Sequence, residues 1–361
     1  MVADIGNTID FLHRVRALKV RGAKGYVGTS NILWNSLSFS LHFCKNLLAL
    51  WISDSDVSKV HGLGSIRRTL RRLVVHYSMS DIKDLLLEGE PILPISEMEH
   101  WACLEEVDFS FNDLKNIDES IQLLGGVQKL NISHNNVTDI GNYLQLLTSL
   151  TELDLSSNGI SSVNQWNELL GNLKKLILSN NVIKDVTGLH RLYSLEYLDL
   201  RNNAIETVES VSALGGLPCL EILHLSENSV AKVVDYRTKV LECFGERHWE
   251  CLNETQEFII VICALKLNNP VYYGQMTVKV FNQFDHFEHF GVLFVQFCSR
   301  VKLDGEAPDD RERDTIKLRM ALRRAKKEKE EKERKRRQKI EEKIRYISGN
   351  VCEYNDEVES S

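Results

Sequence analysis

The chain has 361 residues, is 43% hydrophobic and carries a formal net charge of −7, enough for one extended domain with a tail. No run of about 18 apolar residues occurs, which excludes a membrane-spanning helix, and "FIIVICAL" (258–265) is too short to be one. Cysteines at 44, 103, 219, 243, 251, 263, 298 and 352 have no paired spacing and read as reduced thiols.

The opening, "MVADIGNTIDFLHRV", has neither a basic stretch nor an apolar core, so no signal peptide is expected. From residue 15 the apolar residues keep neither a helical period nor a strand period, but a longer one. Val15, Leu18 and Val20 begin a first copy that leads into the glycine-rich "RGAKGYVGTSN". Leu47, Leu50 and Ile52 lead to Ser55, and Leu70, Leu73 and Val75 lead to Ser78. Residues 78 to 104, with "LEGEPILPISEMEHW", read as a longer loop on the array.

Then the template becomes regular. Copies open at Leu104, Val127, Leu150, Leu173, Leu195 and Leu220, with spacings of 23, 23, 23, 22 and 25 residues. Each follows L-x-x-L-x-L-x-x-N, as in Leu195, Leu198, Leu200 and Asn203. That is a leucine-rich repeat array of about nine coils. It predicts an α/β solenoid: short parallel strands on the concave face and 3-10 or helical turns on the convex side.

Each element has a physical cause. L-x-x-L-x-L is a strand whose alternate side chains enter the core. The asparagine sits where the chain leaves the strand, and its amide both donates and accepts. It can therefore satisfy backbone groups that would otherwise be buried unpaired. Asn112, Asn135, Asn158, Asn181, Asn203 and Asn228 predict a ladder of such amides.

The residues between the leucines point to the concave face. One column is Glu106, Lys129, Glu152, Lys175, Tyr197 and Ile222; the next is Asp108, Asn131, Asp154, Ile177, Asp199 and His224. Phe111, His134, Arg201 and Asn202 stand at strand ends. Aromatic and arginine groups beside carboxylates make this the candidate protein-binding surface.

A cap is expected at 229–247, with Tyr236 and Arg237. The solenoid thus spans 1–247. The last copy reads "SENSV", where related arrays have Asn-Pro. Residues 248–300 match nothing in the pattern; they interrupt the cap between "FGER" and "VKLDG" and read as a translated intron or a lineage-specific insertion. A charged basic helix is expected over 301–346 and a disordered tail over 347–361. From Asp310 to Tyr346 there are 17 Lys and Arg against 9 Asp and Glu. The residue types are good helix formers, with Glu–Lys pairs at i, i+4 such as Glu328 and Lys332. A solvated helix, a basic patch for a partner or membrane surface, and a nuclear signal at "KERKRRQK" (332–339) all fit this composition.

Catalytic motifs are missing: no phosphate-loop consensus, no nucleophile elbow and no zinc C-x-x-C pair occur. "GAKGYVG" (22–28) reads as a turn. His286, Glu288 and His289 have metal-ligand chemistry, but they lie in the unmatched segment, so no metal is expected. Asn131 and Asn136 begin sequons without meaning in a cytosolic chain. No enzyme, cofactor or small-molecule substrate is expected.

Several stretches carry a closer resemblance: "GTSNI" (28–32), "IDESIQLL" (117–124), "GLHRLYSLEYLDLRNN" (188–203), "GLPCLEILHL" (216–225), "DYRTKVLECFGER" (235–247) and, faintly, "LDGEAPDDRERDTIKLRMALRRAKK" (303–327). Together they are similar to the nischarin family, imidazoline-receptor-like leucine-rich repeat scaffolds. The resemblance implies a cytoplasmic or endosome-associated scaffold in Rac, p21-activated kinase and integrin-linked signalling, the cytoskeleton and cell migration. It implies Rac and Rab GTPases as partners. Family members bind phosphatidylinositol 3-phosphate through an N-terminal PX domain. This chain opens at the first repeat, so phosphoinositide binding is not expected of it. The family's integrin-binding region lies beyond the repeats and has no match here. A phosphatase regulatory subunit, using the same concave face, and a nuclear RNA-particle protein, suggested by the basic tail and the Tyr-Arg cap, are the alternative readings.

Overall fold

The computed structural model describes residues 9–22, 29, 38–87, 94–246 and 301–356. It forms two units, Met1–Pro308 and Asp309–Ser361.

The first unit is a leucine-rich repeat solenoid. Its strands are β1 (Ala17–Arg21), β2 (Phe39–Ser40), β3 (Ala49–Ser53), β4 (Val60–His61), β5 (Arg72–His76), β6 (Glu106–Asp108), β7 (Lys129–Asn131), β8 (Glu152–Asp154), β9 (Lys175–Ile177), β10 (Tyr197–Asp199), β11 (Ile222–His224) and β12 (Lys302–Leu303). Ten of them form one sheet in chain order, while β2 and β4 pair separately. Every pairing is parallel. Short 3-10 turns and brief helices return the chain along the convex side, as the template predicts.

The template residues fill the core. In one coil Leu195, Leu198, Leu200 and Ile205 are fully buried, and Leu189 and Leu192 meet them from the convex side. Each such burial contributes about 1.5–3 kcal/mol, but only because the neighbouring coils cover it. Coils approach so closely that a Cβ on Gly188 would lie 1.9 Å from the Val163 carbonyl oxygen.

The asparagine ladder is present in full. Asn181 Nδ2 donates to the carbonyls of Leu178 and Ser179 in its own coil and of Leu155 in the coil before, at 3.0, 3.3 and 3.0 Å. Its Oδ1 accepts from Ile160 N at 3.0 Å. Asn112, Asn135, Asn158, Asn203 and Asn228 repeat this arrangement. In the earlier coil Ser78 takes the slot: its hydroxyl donates to His76 O at 2.6 Å and accepts from Ser55 N at 3.1 Å.

Three expectations are corrected. Residues 79–87 and 94–103 are more than a loop: Ile82, Leu85, Leu86, Met98 and Trp101 are buried, so they belong to the convex side of one oversized coil between β5 and β6. Residues 301–308 are not helical. Lys302 and Leu303 pair with Ile222 and Leu223, so the solenoid closes on "VKLDG". The long helix begins at Asp310 and runs to Asp356, into the expected tail. Its start is fixed by Asp309, whose carboxylate accepts from Glu312 N at 2.6 Å while Glu312 accepts from Asp309 N at 3.0 Å. Residues 248–300, with His286, Glu288 and His289, and most of "GAKGYVG" lie outside the described residues.

The cap joins Tyr236 and Arg237 to this closing strand. Asp304 Oδ1 accepts from Leu225 N and Ser226 N at 2.7 and 2.8 Å, and its Oδ2 accepts from the Tyr236 hydroxyl at 3.0 Å. Arg237 donates to Leu303 O at 3.1 Å. The cap helix, Tyr236–Glu246, presses on Gly215, where a Cβ would meet the Cys243 carbonyl oxygen at 2.2 Å.

Asn181→Ala leaves the buried Ile160 N–H without its acceptor, while the Leu155, Leu178 and Ser179 carbonyls still accept from Asn158, Asn203 and Ser157, so it should lower unfolding free energy by about 2 kcal/mol in urea titration. A second expectation concerns pH. Burial, then the Asp304 carboxylate, push the Tyr236 phenol above its ordinary range. The folded state favours the neutral phenol. Its contribution is intact below the unfolded value of about 10 and is lost as pH rises above it. Wild-type stability should fall more steeply than that of Tyr236→Phe above about pH 10, measured by urea unfolding at each pH.

Candidate functional site

Parallel pairing in register makes the concave columns real. Arg72, Glu106, Lys129, Glu152, Lys175 and Tyr197 stand side by side on β5 to β10. Neighbours along this row neutralise each other. Arg72 and Glu106 are 3.3 Å apart, Lys129 and Glu152 are 2.8 Å apart, and Lys175 Nζ lies 5.4 Å from the Tyr197 ring centre. The bond to Glu152 raises the Lys129 pKa. Burial, then Asp199, raise that of Tyr197. Ile222, at the end of the row, pairs with Lys302. The floor is a shallow groove of about 340 Å³, lined among others by Arg72, Val74, Asp108, Asn131, Asp154 and Ile177.

The second column is committed to its own backbone. Asp108, Asn131 and Asp154 each accept from the N–H two residues on, at 3.0, 2.9 and 2.9 Å. Asp199 does the same and also holds the Arg201 guanidinium by both carboxylate oxygens, at 3.0 and 2.6 Å. Those contacts raise the Arg201 pKa. Asp199 is 1% exposed, so it positions Arg201 and does not itself face a partner. His224 lies 5.5 Å from the Tyr197 ring.

The strand ends carry a feature the repeat pattern alone does not show. The residue before each asparagine slot has a left-handed backbone: Asp54, Tyr77, Phe111, His134, Ser157, Asn180, Asn202 and Glu227 all have φ between 51° and 63°. Residues other than glycine pay for this conformation. Here it throws each side chain outward at the rim. Three consecutive rim positions are aromatic. Phe111 stacks on His134 at 4.3 Å and 8°, and Tyr77 lies 5.7 Å from Phe111. His76 meets Phe111 edge-on at 5.9 Å, with its Nε2 3.2 Å from Asp108 Oδ1. Tyr77 is 59% exposed and Phe111 39%, which is unusual for rings already in contact with each other.

The structure therefore brings Phe111 and His134 together, and groups Glu106, Lys129, Glu152 and Lys175 on the groove floor. Arg201 and His224 stand toward the other end, the first just past β10 and the second on β11. The sequence-based site began at Glu106 and missed Arg72, His76 and Tyr77. The signal was there: the degenerate copy at Leu70 has the same slots. Among the described residues, no group of three or more His, Cys, Asp and Glu could hold a metal ion, and no helix is long and apolar enough to cross a membrane.

A family model described as leucine-rich repeats in two copies matches residues 126–168 and 171–213. Among solved structures, internalin C2 from Listeria monocytogenes str. 4b F2365 is similar at 24% identity over 54% of this chain and 70% of that chain, with a TM-score of 0.36. The chain thus carries leucine-rich repeats and folds as a leucine-rich repeat solenoid with a parallel sheet, and arrays of this kind typically bind proteins on the concave surface.

Phe111 also allows a separation of stability from binding. Phe111→Gly relieves the left-handed strain that Phe111→Ala keeps. Both lose the stack on His134. The glycine variant should be the more stable of the two by about 1 kcal/mol in urea unfolding.

Proposed function

We propose that this leucine-rich repeat protein is a non-enzymatic scaffold of the nischarin type, holding protein partners on its concave face and aromatic rim. The observation that carries the reading is the rim strip of Tyr77, Phe111 and His134, whose rings stay exposed at strained positions, with half-buried His76 packed edge-on against Phe111. Strained, solvent-facing aromatics lower stability in the free protein. A partner that covers the rings recovers the cost of their exposure, and aromatic side chains are frequent anchors of protein interfaces.

The mechanism is rigid display. The strands and the asparagine ladder fix the side chains before binding, so association loses little conformational entropy. The self-paired charges on the floor set the register of a partner without adding much affinity. On the sequence resemblance, the partners are Rac and Rab GTPases and p21-activated kinase. The setting is cytoplasmic and endosome-associated, and the outcome is control of the cytoskeleton and cell migration. Integrin binding is no part of this proposal.

The test is biolayer interferometry of the purified full chain against a Rac GTPase, a Rab GTPase and the kinase, each separately. At least one should bind, and Tyr77→Ala with Phe111→Ala should weaken it by 10-fold or more, about 1.4 kcal/mol. Equal binding by wild type and the double variant would show that the rim is not the contact. Binding of a phosphatase catalytic subunit with none to the GTPases or kinase would favour the regulatory-subunit reading.

A further inference from the structure

The second unit distributes its charge unevenly around the helix Asp310–Asp356. Many of its cations are paired within the helix: Arg313 with Asp310, Lys317 with Asp314, Lys326 with Glu330 and Lys335 with Glu331. Lys329, Lys332, Arg336 and Lys339 form no ion pair with the described residues. At about 100° per residue, these four fall in one sector about 100° wide, along with Leu318, Leu322 and Ile340. Ala321 and Ala325 occupy the same sector, and no carboxylate of 318–341 enters it. Glu328 and Glu333 border it on either side.

This face is costly to leave alone. Lys329, Lys332, Arg336 and Lys339 follow one another at i+3 and i+4 spacings, where like charges repel. Leu318, Leu322 and Ile340 on the same face are 63%, 62% and 51% exposed. From Leu318 to Ile340 the stripe runs about 33 Å. An anionic partner must therefore be long, must present negative charge along its length, and must accept aliphatic side chains between the cations. A nucleic acid backbone meets the first two conditions but would press the aliphatics against phosphate or water. A bilayer interface meets all three.

We propose that this face of the helix rests on an anionic membrane surface, its cations meeting lipid headgroups and Leu318, Leu322 and Ile340 entering the interface. The contact is reversible and weakened by salt, because it is mostly electrostatic. It does not depend on the concave face or on what binds there.

The experiment is co-sedimentation of the purified full chain with vesicles of phosphatidylcholine containing about a third phosphatidylserine, against pure phosphatidylcholine. The wild type should pellet with the anionic vesicles only, and less at high salt. Each cation removed from the stripe should weaken partitioning about fivefold, so Lys332→Ala with Arg336→Ala should lower it about 25-fold. Lys327→Ala with Arg334→Ala removes the same charge from the opposite face and should change partitioning no more than about twofold. Circular dichroism checks that the helix persists in each variant. Equal losses in the two double variants would reduce the effect to net charge and overturn the oriented contact. So would equal pelleting with neutral vesicles, no pelleting at all, or stripe-dependent binding to duplex RNA without binding to vesicles.

Discussion

Everything in the solenoid depends on how one side-chain amide per coil completes the backbone. Where the strand ends, the chain must turn inward, and its N–H and C=O groups go out of reach of both water and the sheet. The asparagine supplies two donors and an acceptor at that point. Its bonds go to two coils at once, as Asn181 shows by reaching both Leu178 and Leu155. The ladder is therefore a lateral tie as well as a local one. It fixes the distance and rotation between neighbours, and so the register of every concave column.

The same turn creates the aromatic rim. To place the amide inside, the preceding residue adopts a left-handed backbone and projects outward. In most coils that outward residue is one that tolerates the conformation or interacts with solvent, such as Asp54, Ser157, Asn180, Asn202 or Glu227. Tyr77 and Phe111 break that habit in neighbouring coils. The floor beside them is electrically quiet, because Arg72 to Lys175 alternate in sign along the register. A neutral, rigid floor with an aromatic edge favours an anchor-based contact over long-range steering.

The repeat spacing made the fold legible before any coordinates. Period, strand slots and asparagine ladder follow from local rules that each coil obeys separately. The less legible parts depend on relations between coils. That Asp199 is spent on Arg201 could not be read from a column of carboxylates, since exposure there is set by the neighbouring side chain. The aromatic strip was half seen: Phe111 and His134 sat in regular copies, whereas Tyr77 and His76 sat in a copy whose asparagine had become serine. The core role of Ile82, Leu85, Leu86, Met98 and Trp101 was hidden because an enlarged coil keeps the strand register while losing the spacing. The end of the array was harder still. Asp304 takes the terminal backbone donors from a position far along the chain, and no periodic pattern predicts a partner at that distance.

That last pairing has a bearing on synthesis. β11 ends at His224, but the strand that covers it begins at Lys302. At about 5–20 residues per second, a ribosome takes on the order of 4–16 seconds to make the intervening chain. Through that interval the growing solenoid has a complete set of coils and an uncovered terminal strand, with unpaired N–H and C=O groups open to any other extended chain. The nascent protein thus passes through a period in which its most vulnerable edge is already formed and its guard has not yet been translated.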